Sequence, residues 1–176
     1  MNVLNNIHVL VLDVDGVLTD GTITYDPATG REFKSFHVHD GLGISMWMKA
    51  GNEIILISGR NAGVVTKRAN ELGILHVIQG STDKIADLES TLALLGTTPD
   101  QTAFVGDDLG DLAIMQHVGY AIAVHNAAQE VLDAADWVTK RAGGHGAVRD
   151  VVEHLMKAAG TWSAAVKAYE TEITHQ

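Results

Sequence analysis

Short apolar runs of strand length alternate along this chain with longer stretches in which apolar residues recur at helical spacing. Residues 7–12 form a short apolar run, and residues 61–72 form an amphipathic stretch that ends before Gly73. Short apolar runs are typical of strands buried on both faces, and a glycine just past an amphipathic stretch is a common helix end. The alternation predicts a parallel sheet with helices on both faces, a three-layer Rossmann-like α/β fold.

The same pattern gives the order of the elements. Strands are predicted at residues 7–12, 53–57, 75–78, 103–105, 121–124 and 137–138, and helices at residues 42–50, 61–72, 82–95, 109–117, 127–134 and 147–158, with a last helix after Thr161. Asn61 and Thr82 are the expected N-caps of the second and third helices. Residues 22–25 and 32–36 flank a glycine-containing loop at residues 26–30, which predicts a projecting β-hairpin.

Length and composition limit the classes of protein that fit. The 176 residues suit one domain, taken here as residues 1–176, and there is no cysteine for a disulfide, a thiolate metal site or a nucleophile. With 12 Lys and Arg against 22 Asp and Glu, the net charge of −10 argues against nucleic acid or an anionic membrane as a partner. The apolar runs are far shorter than the roughly 20 residues of a membrane span. The N-terminus lacks the basic start of a signal peptide, so we expect a cytoplasmic protein.

Polar side chains follow the predicted strands at their carboxyl ends, where ligands bind in such sheets. Asp13 and Asp15 follow the first strand, and at this spacing their carboxylates point the same way. Two adjacent carboxylates repel each other, which raises one pKa unless a cation neutralises them. After the second strand, Ser58, Gly59 and Arg60 offer a hydroxyl, a flexible backbone and a guanidinium at a helix N-terminus, a combination that suits a phosphate.

Further charged groups follow the third and fourth strands. Lys84 stands near the start of the third helix, and Asp107, Asp108 and Asp111 follow the fourth strand. Oxygen ligands without sulfur favour Mg²⁺ over zinc. Ser58 or Lys84 alone would more often be a helix cap or a surface residue. Together with an acidic cluster that holds Mg²⁺, they predict a phosphoryl-transfer site.

These motifs, in this order, resemble those of the haloacid dehalogenase superfamily. The matching positions are residues 13–17 for the first motif, Ser58 for the second, Lys84 for the third and residues 106–111 for the fourth. The resemblance implies that Asp13 is the nucleophile that takes the phosphoryl group. It also implies that Asp15 is the general acid that protonates the leaving alkoxide and then the base that activates water.

The resemblance implies roles for the other residues of the cluster as well. The implied Mg²⁺ ligands are the carboxylate of Asp13, the backbone carbonyl of Asp15 and the carboxylate of Asp107. Ser58 and Lys84 would hold the phosphoryl oxygens. The implied supporting residues are Asp108, which would support metal-bound water, and Asp111, which would steady Lys84.

The spacing of the motifs leaves no room for the cap domain that many members of this superfamily carry. Only 42 residues lie between Asp15 and Ser58, and 25 lie between Ser58 and Lys84. A capless site is open, so it takes a macromolecule, or another subunit supplies its lid. A closer resemblance, carried by the hairpin and by residues 15–21, 40–44 and 142–150, is to the 3-deoxy-D-manno-octulosonate 8-phosphate (KDO 8-phosphate) phosphatases.

That closer resemblance implies a homotetramer whose hairpins associate between subunits. The C-terminal tail, residues 142–176, would then contact a neighbouring subunit, and Gly144 and His145 would contact its substrate. His145 stands where the octulosonate enzymes often have arginine. The residues alone leave two other interpretations open, a hairpin folded over its own sheet and a flexible glycine-rich connector at residues 143–146.

The expected activity is Mg²⁺-dependent hydrolysis of a small acidic sugar phosphate. The resemblance implies that this substrate is KDO 8-phosphate, cleaved to KDO and phosphate as in lipopolysaccharide biosynthesis. Gly59 and Arg60 are the expected substrate contacts, because a guanidinium is a natural partner for a sugar carboxylate. One alternative is a KDN 9-phosphate (2-keto-3-deoxy-D-glycero-D-galacto-nononate 9-phosphate) or promiscuous sugar phosphatase, although relatives that act on KDN 9-phosphate tend to carry an acid where this chain has Arg60. Another alternative is a non-catalytic oligomerisation domain linked to sugar-nucleotide synthesis.

Overall fold

A computed structural model describes residues 3–172 of the chain. The strands are β1 (Val9–Leu12), β2 (Thr24–Tyr25), β3 (Glu32–Phe33), β4 (Glu53–Ser58), β5 (His76–Gln79), β6 (Thr102–Gly106), β7 (Tyr120–Ala123) and β8 (Trp137–Val138). The α-helices are α1 (Val38–Lys49), α2 (Gly63–Leu72), α3 (Lys84–Leu95), α4 (Leu112–Met115), α5 (Gln129–Ala134), α6 (Ala147–Ala158) and α7 (Trp162–Glu172).

Six of the strands form one sheet in the order β5-β4-β1-β6-β7-β8, and every pair in it is parallel. β1 lies between β4 and β6, with Leu12 paired to Leu56 on one side and to Val105 on the other. The carboxyl ends of β1, β4 and β6 therefore meet at one edge of the sheet. The predicted α/β fold with a parallel sheet is confirmed.

The core has two layers because successive side chains of a strand point to opposite faces. On one face, Leu10 and Leu12 of β1 pack in a cluster with buried residues of α1, α2 and α6, among them Trp47 and Val148. On the other face, Val9 and Val11 pack with buried residues of α3, α4 and α5. Apolar side chains on both faces of one strand explain why its sequence is a continuous apolar run rather than an alternating one.

Three predicted helix starts were wrong, and side-chain hydrogen bonds to the first backbone N–H groups explain them. α1 begins at Val38, earlier than predicted, because the side chain of His37 accepts a hydrogen bond from the backbone of His39. α2 has Ala62 rather than Asn61 at its N-cap, and the Ala62 N–H is satisfied by Gln79 of β5 at 2.8 Å. The N-cap of α3 is Asp83 rather than Thr82, with its side chain accepting from two backbone N–H groups.

The single helix predicted at residues 109–117 is also wrong. A 3₁₀ turn at Leu109–Asp111 precedes the short helix α4. Asp108 and Asp111 form a capping box that tightens this first turn, with the Asp111 carboxylate turned back toward the backbone N–H of Asp108. The predicted helix ends at Gly73 and Gly96 are confirmed, and both glycines adopt left-handed backbone angles.

The hairpin forms a separate two-stranded sheet, with Thr24 paired to Phe33 and Tyr25 to Glu32. Three large apolar side chains on and beside it are exposed to solvent, namely Ile23, Tyr25 and Phe33. Within residues 3–172, no helix is long and apolar enough to cross a membrane.

Candidate active site

The buried carboxylate of Asp13 lies at the carboxyl end of β1. Its backbone N–H donates to the carbonyl of Val105, which continues the parallel ladder one residue past the strand. Lys84, the first residue of α3, places its Nζ 2.6 Å from Asp13 Oδ1 and 2.6 Å from Asp111 Oδ1. Burial raises the pKa of Asp13 to about 7, although the charge of Lys84 opposes the rise. For Lys84, burial alone would lower the pKa, but the two carboxylates outweigh it and raise the pKa.

Asp107 completes the acidic cluster from the end of β6. Carboxylate oxygens of Asp13, Asp107 and Asp111 lie within 4.8 Å of one another. Burial raises the pKa of Asp107 to about 7, and the charges of Asp13 and Asp111 add to the rise. Three carboxylates this close, against the one ammonium of Lys84, favour the binding of a further cation.

Asp111 is held by partners of the protein itself. Its Oδ1 accepts from Lys84, and its Oδ2 accepts from the backbone N–H of Asp107 at 2.9 Å. Asp13 and Asp107 are therefore the members of the cluster best placed to turn an oxygen toward a metal. Gly16 provides the necessary space, since a Cβ there would lie 1.9 Å from Asp107 Oδ2.

Ser58, Gly59 and Arg60 follow β4 beside this cluster. The buried hydroxyl of Ser58 accepts a hydrogen bond from the backbone N–H of Arg60 at 3.1 Å, which leaves its own proton for a ligand. One cavity of about 170 Å³ is lined by residues of all four predicted motifs: Asp13, Asp15, Ser58, Gly59, Arg60, Lys84, Asp107, Asp108, Gly110 and Asp111. The structure thus brings together the candidate residues from four separate segments.

Asp15 lies beside two cations, the predicted Arg60 and the unpredicted Lys34. Lys34, just after β3, forms a salt bridge with Asp15 Oδ1 and lies 2.7 Å from Glu32 Oε1. Arg60 contacts both acids, with Nε 3.7 Å from Asp15 Oδ2 and Nη2 3.0 Å from Glu32 Oε2. Sequence reasoning missed Glu32 and Lys34. The available signal was two opposite charges alternating with aromatic residues in a predicted strand.

The glycine-rich segment lies against the loop after β1 of its own chain. The Gly144 N–H donates to the Val17 carbonyl at 3.0 Å, and a Cβ on Gly143 would lie 1.6 Å from the Gly16 carbonyl oxygen. Gly16 in turn touches Asp107, so this segment forms a second layer behind the cluster. The side chain of His145 is exposed, and neither it nor Gly144 lines the cavity.

The N-terminus of α6 is fixed by a buried acid on α1. Asp40 accepts hydrogen bonds from the backbone N–H groups of Gly146 and Arg149, at 3.2 and 2.8 Å. Burial raises the pKa of Asp40. Buried side chains of α6 belong to the same core as α1, which anchors this part of the tail to its own chain.

The fold and the cluster define a class of protein, and comparison with known families agrees with it. Residues 60–151 match the haloacid dehalogenase-like hydrolase family. The chain belongs to this family and is a phosphatase, a hydrolase of phosphoric monoesters.

Two relatives are named for the same activity. The chain is 43% identical over 160 residues to the 3-deoxy-D-manno-octulosonate 8-phosphate phosphatase KdsC of Salmonella typhi, covering 91% of this chain and 85% of that one. It is 44% identical over 155 residues to KdsC of Escherichia coli K12, covering 88% and 82% of the two chains.

Two solved structures of KDO 8-phosphate phosphatases are similar to this chain. The crystal structure of the KDO 8-phosphate phosphatase from Moraxella catarrhalis, in complex with magnesium ion, phosphate ion and KDO, superposes with a TM-score of 0.91 at 38% identity and covers 95% of both chains. The enzyme from Yersinia pestis superposes with a TM-score of 0.88 at 40% identity, covering 90% of this chain and 85% of that one.

Proposed function

We propose that this chain hydrolyses KDO 8-phosphate to KDO and inorganic phosphate, through a phosphoryl group carried on Asp13 and with Mg²⁺ as cofactor. The observation that carries the proposal is the position of the Asp13 carboxylate, buried at the end of β1, 2.6 Å from Lys84 and beside Asp107. The named relatives support the choice of sugar, and the bound magnesium, phosphate and KDO of the Moraxella enzyme support the choice of cofactor.

The residues present fit Mg²⁺. The carboxylates of Asp13 and Asp107 and the backbone carbonyl of Asp15 would hold the ion, and all three donors are the hard oxygens that it prefers. When bound, the ion supplies positive charge next to the transferred phosphoryl group and relieves the repulsion between the two carboxylates. That repulsion contributes to the raised pKa of Asp107.

In the first half-reaction, a carboxylate oxygen of Asp13 attacks the phosphorus, and the bond between phosphorus and the sugar oxygen breaks. Asp15 gives its proton to the leaving alkoxide. The Ser58 hydroxyl and the Lys84 ammonium hold the phosphoryl oxygens. Because Lys84 is tied to Asp13 and Asp111 at equal distances, its position relative to the nucleophile is fixed before substrate arrives.

In the second half-reaction, Asp15 takes a proton from a water molecule that attacks the phosphorus. The bond between phosphorus and Asp13 breaks, which releases phosphate and restores the carboxylate. Asp15 then carries the proton needed for the next turnover, so the proton count closes over the cycle. Asp108 is exposed at the rim, in keeping with a role in ordering water near the metal.

Substrate recognition is assigned to groups at the rim of the cavity. The side chain of Arg60 is 42% exposed, and Glu32 holds it in place, so its guanidinium is available to a sugar carboxylate.

We also propose a homotetramer that associates through the hairpin, since Tyr25 and Phe33 are more than half exposed there. In such an assembly the exposed side chain of His145 is the part of the glycine-rich segment that can reach a neighbouring site.

Phosphate release from a panel of sugar phosphates tests the proposed function. The panel contains KDO 8-phosphate, KDN 9-phosphate and glucose 6-phosphate, each assayed with excess chelator and after Mg²⁺ is restored. We expect KDO 8-phosphate to give the highest kcat/KM, and activity only with the metal. Higher kcat/KM on another sugar would reject the substrate, and full activity in chelator would reject the cofactor.

The variant Asp13→Asn tests the nucleophile with the same panel. An amide is a poor nucleophile and a weaker metal ligand, so turnover of every substrate should disappear while the fold is kept. Asp133→Asn, an exposed carboxylate on α5, is the matched control. Normal turnover by Asp13→Asn would reject the covalent route.

A further inference from the structure

A lysine of the hairpin is buried in the active site. The side chain of Lys34 is 1% exposed, and its Nζ contacts Asp15 Oδ1 and lies 2.7 Å from Glu32 Oε1. Burial alone would lower the pKa of Lys34, but its contacts with the two acids outweigh burial and raise the pKa. Burying an unpaired ammonium costs free energy, so the Lys34 side chain is held in the position where it contacts both acids.

The partners of Lys34 form a closed network of four charges. Asp15 and Glu32 are the two anions, and Lys34 and Arg60 are the two cations, each of which contacts both acids. Glu32 alone could neutralise Lys34 within the hairpin. The added contact with Asp15 joins groups 19 positions apart in the chain and fixes the carboxylate from the hairpin side.

The hairpin alone is too short to fix the positions of these charged side chains. It has only two residue pairs, and such a short hairpin has little independent stability. Glu32 and Lys34 point toward the site, whereas Phe33 between them is exposed, so the face that meets the site is the charged one.

We infer that Lys34 is a positioning residue that holds the Asp15 carboxylate in the orientation for proton transfer to the leaving sugar oxygen. The inference rests on the proposed function, which makes Asp15 the general acid and base. Lys34 exchanges no proton in the cycle. While Asp15 carries the transferable proton, the ammonium remains paired with Glu32, which explains why it has two acidic partners.

The dependence on the leaving group provides the test. An alkoxide must be protonated as it departs, whereas p-nitrophenolate is a stable anion that needs no proton. The variants are Lys34→Met, which keeps length and removes charge, and Lys34→Arg, which keeps charge. Lys67→Met, at an exposed lysine of α2, is the matched control. Substrates are KDO 8-phosphate, glycerol phosphate, which has no carboxylate, and p-nitrophenyl phosphate.

For Lys34→Met we expect kcat on both alkyl phosphates to fall about 10²-fold, the size of effect that a misplaced catalytic group produces. KM should stay within about threefold, since a positioning role is expressed in kcat. The burst of p-nitrophenolate, which reports phosphorylation of Asp13, should change by less than about threefold. Lys34→Arg should recover a substantial part of the loss, and Lys67→Met should match the wild-type chain.

The test quantity is the ratio of the alkyl phosphate rate to the initial rate of the p-nitrophenolate burst in the same preparation. Both rates scale with the folded fraction, so partial unfolding cannot change this ratio. An unchanged ratio would overturn the inference. So would a loss confined to KM and to KDO 8-phosphate, which would make Lys34 a contact for the substrate carboxylate. If Lys34→Met fails to accumulate, Lys34→Arg carries the same test, with a smaller fall expected in the same ratio and an unchanged ratio again overturning it. A wild-type chain inactive on all three esters would reject the proposed function instead.

Discussion

Replacing Asp107 by asparagine should stabilise the metal-free protein, and more so at higher pH. The pKa of Asp107 is raised from 3.8 to about 7 by burial and by the charges of Asp13 and Asp111. A folded-state pKa above the unfolded value means that, for this group, the protein is most stable below pH 3.8 and loses stability as the pH rises from there to about 7. An amide keeps the shape of the side chain and does not ionise.

The size of the effect follows from the two pKa values. Each tenfold difference in proton affinity corresponds to about 1.4 kcal/mol. At pH 5 the unfolded carboxyl is ionised and the folded one is not, a penalty of about 1–2 kcal/mol. At pH 8 both are ionised, and the penalty reaches at most about 4 kcal/mol, because solvent screens this partly exposed side chain. The free energy of unfolding of Asp107→Asn should therefore exceed that of the wild-type chain by more at pH 8 than at pH 5. The increase in this excess between the two pH values is about 2–3 kcal/mol.

Urea unfolding at the two pH values, after exhaustive treatment with chelator, measures this difference. Asp133→Asn is the control, since that carboxylate is exposed on α5 and should give no comparable change between the two pH values. Adding Mg²⁺ should reverse the order, because the wild-type chain binds the ion more tightly and is stabilised by it. The electrostatic reasoning would be refuted if the variant and the wild-type chain differed in free energy of unfolding by the same amount at both pH values. It would also be refuted if the variant were the less stable of the two at pH 8.

Three further predictions concern packing, assembly and capping. Gly143→Ala would place a Cβ 1.6 Å from the Gly16 carbonyl oxygen, so it should cost at least about 1–3 kcal/mol in urea unfolding and lower kcat. Gly63→Ala, which has open space around it, should do neither. Phe33→Glu should break the proposed tetramer in light scattering without unfolding the chain, and a tetramer that persists would contradict assembly through the hairpin. Asp83→Ala should cost about 1 kcal/mol through loss of the α3 N-cap, and unchanged urea unfolding would contradict that capping role.

The strand ends of the site were predictable because parallel strands bring distant positions to one edge. Asp13 and Asp107 are far apart in sequence, but β1 and β6 are neighbours and end together. The resemblance to known phosphatase motifs then supplied roles that residue chemistry alone could not. One helix start was less predictable, because a residue of another element takes part in it. The start of α2 depends on Gln79, whose side chain reaches across from β5 to the Ala62 N–H.

Sequence reasoning missed Lys34 because the alternating polar and apolar residues of the hairpin bury the polar face instead of the apolar one. A strand with apolar and polar residues in turn normally buries its apolar face. In this hairpin Glu32 and Lys34 face a polar site and are largely buried, while Phe33 is exposed. The outward apolar face and the inward charged face of the hairpin therefore have different roles. The first is available to another subunit, and the second holds Asp15 through Lys34. A period-two pattern beside a cluster of acids is thus compatible with either orientation, and only the charge partners of the polar face distinguish them.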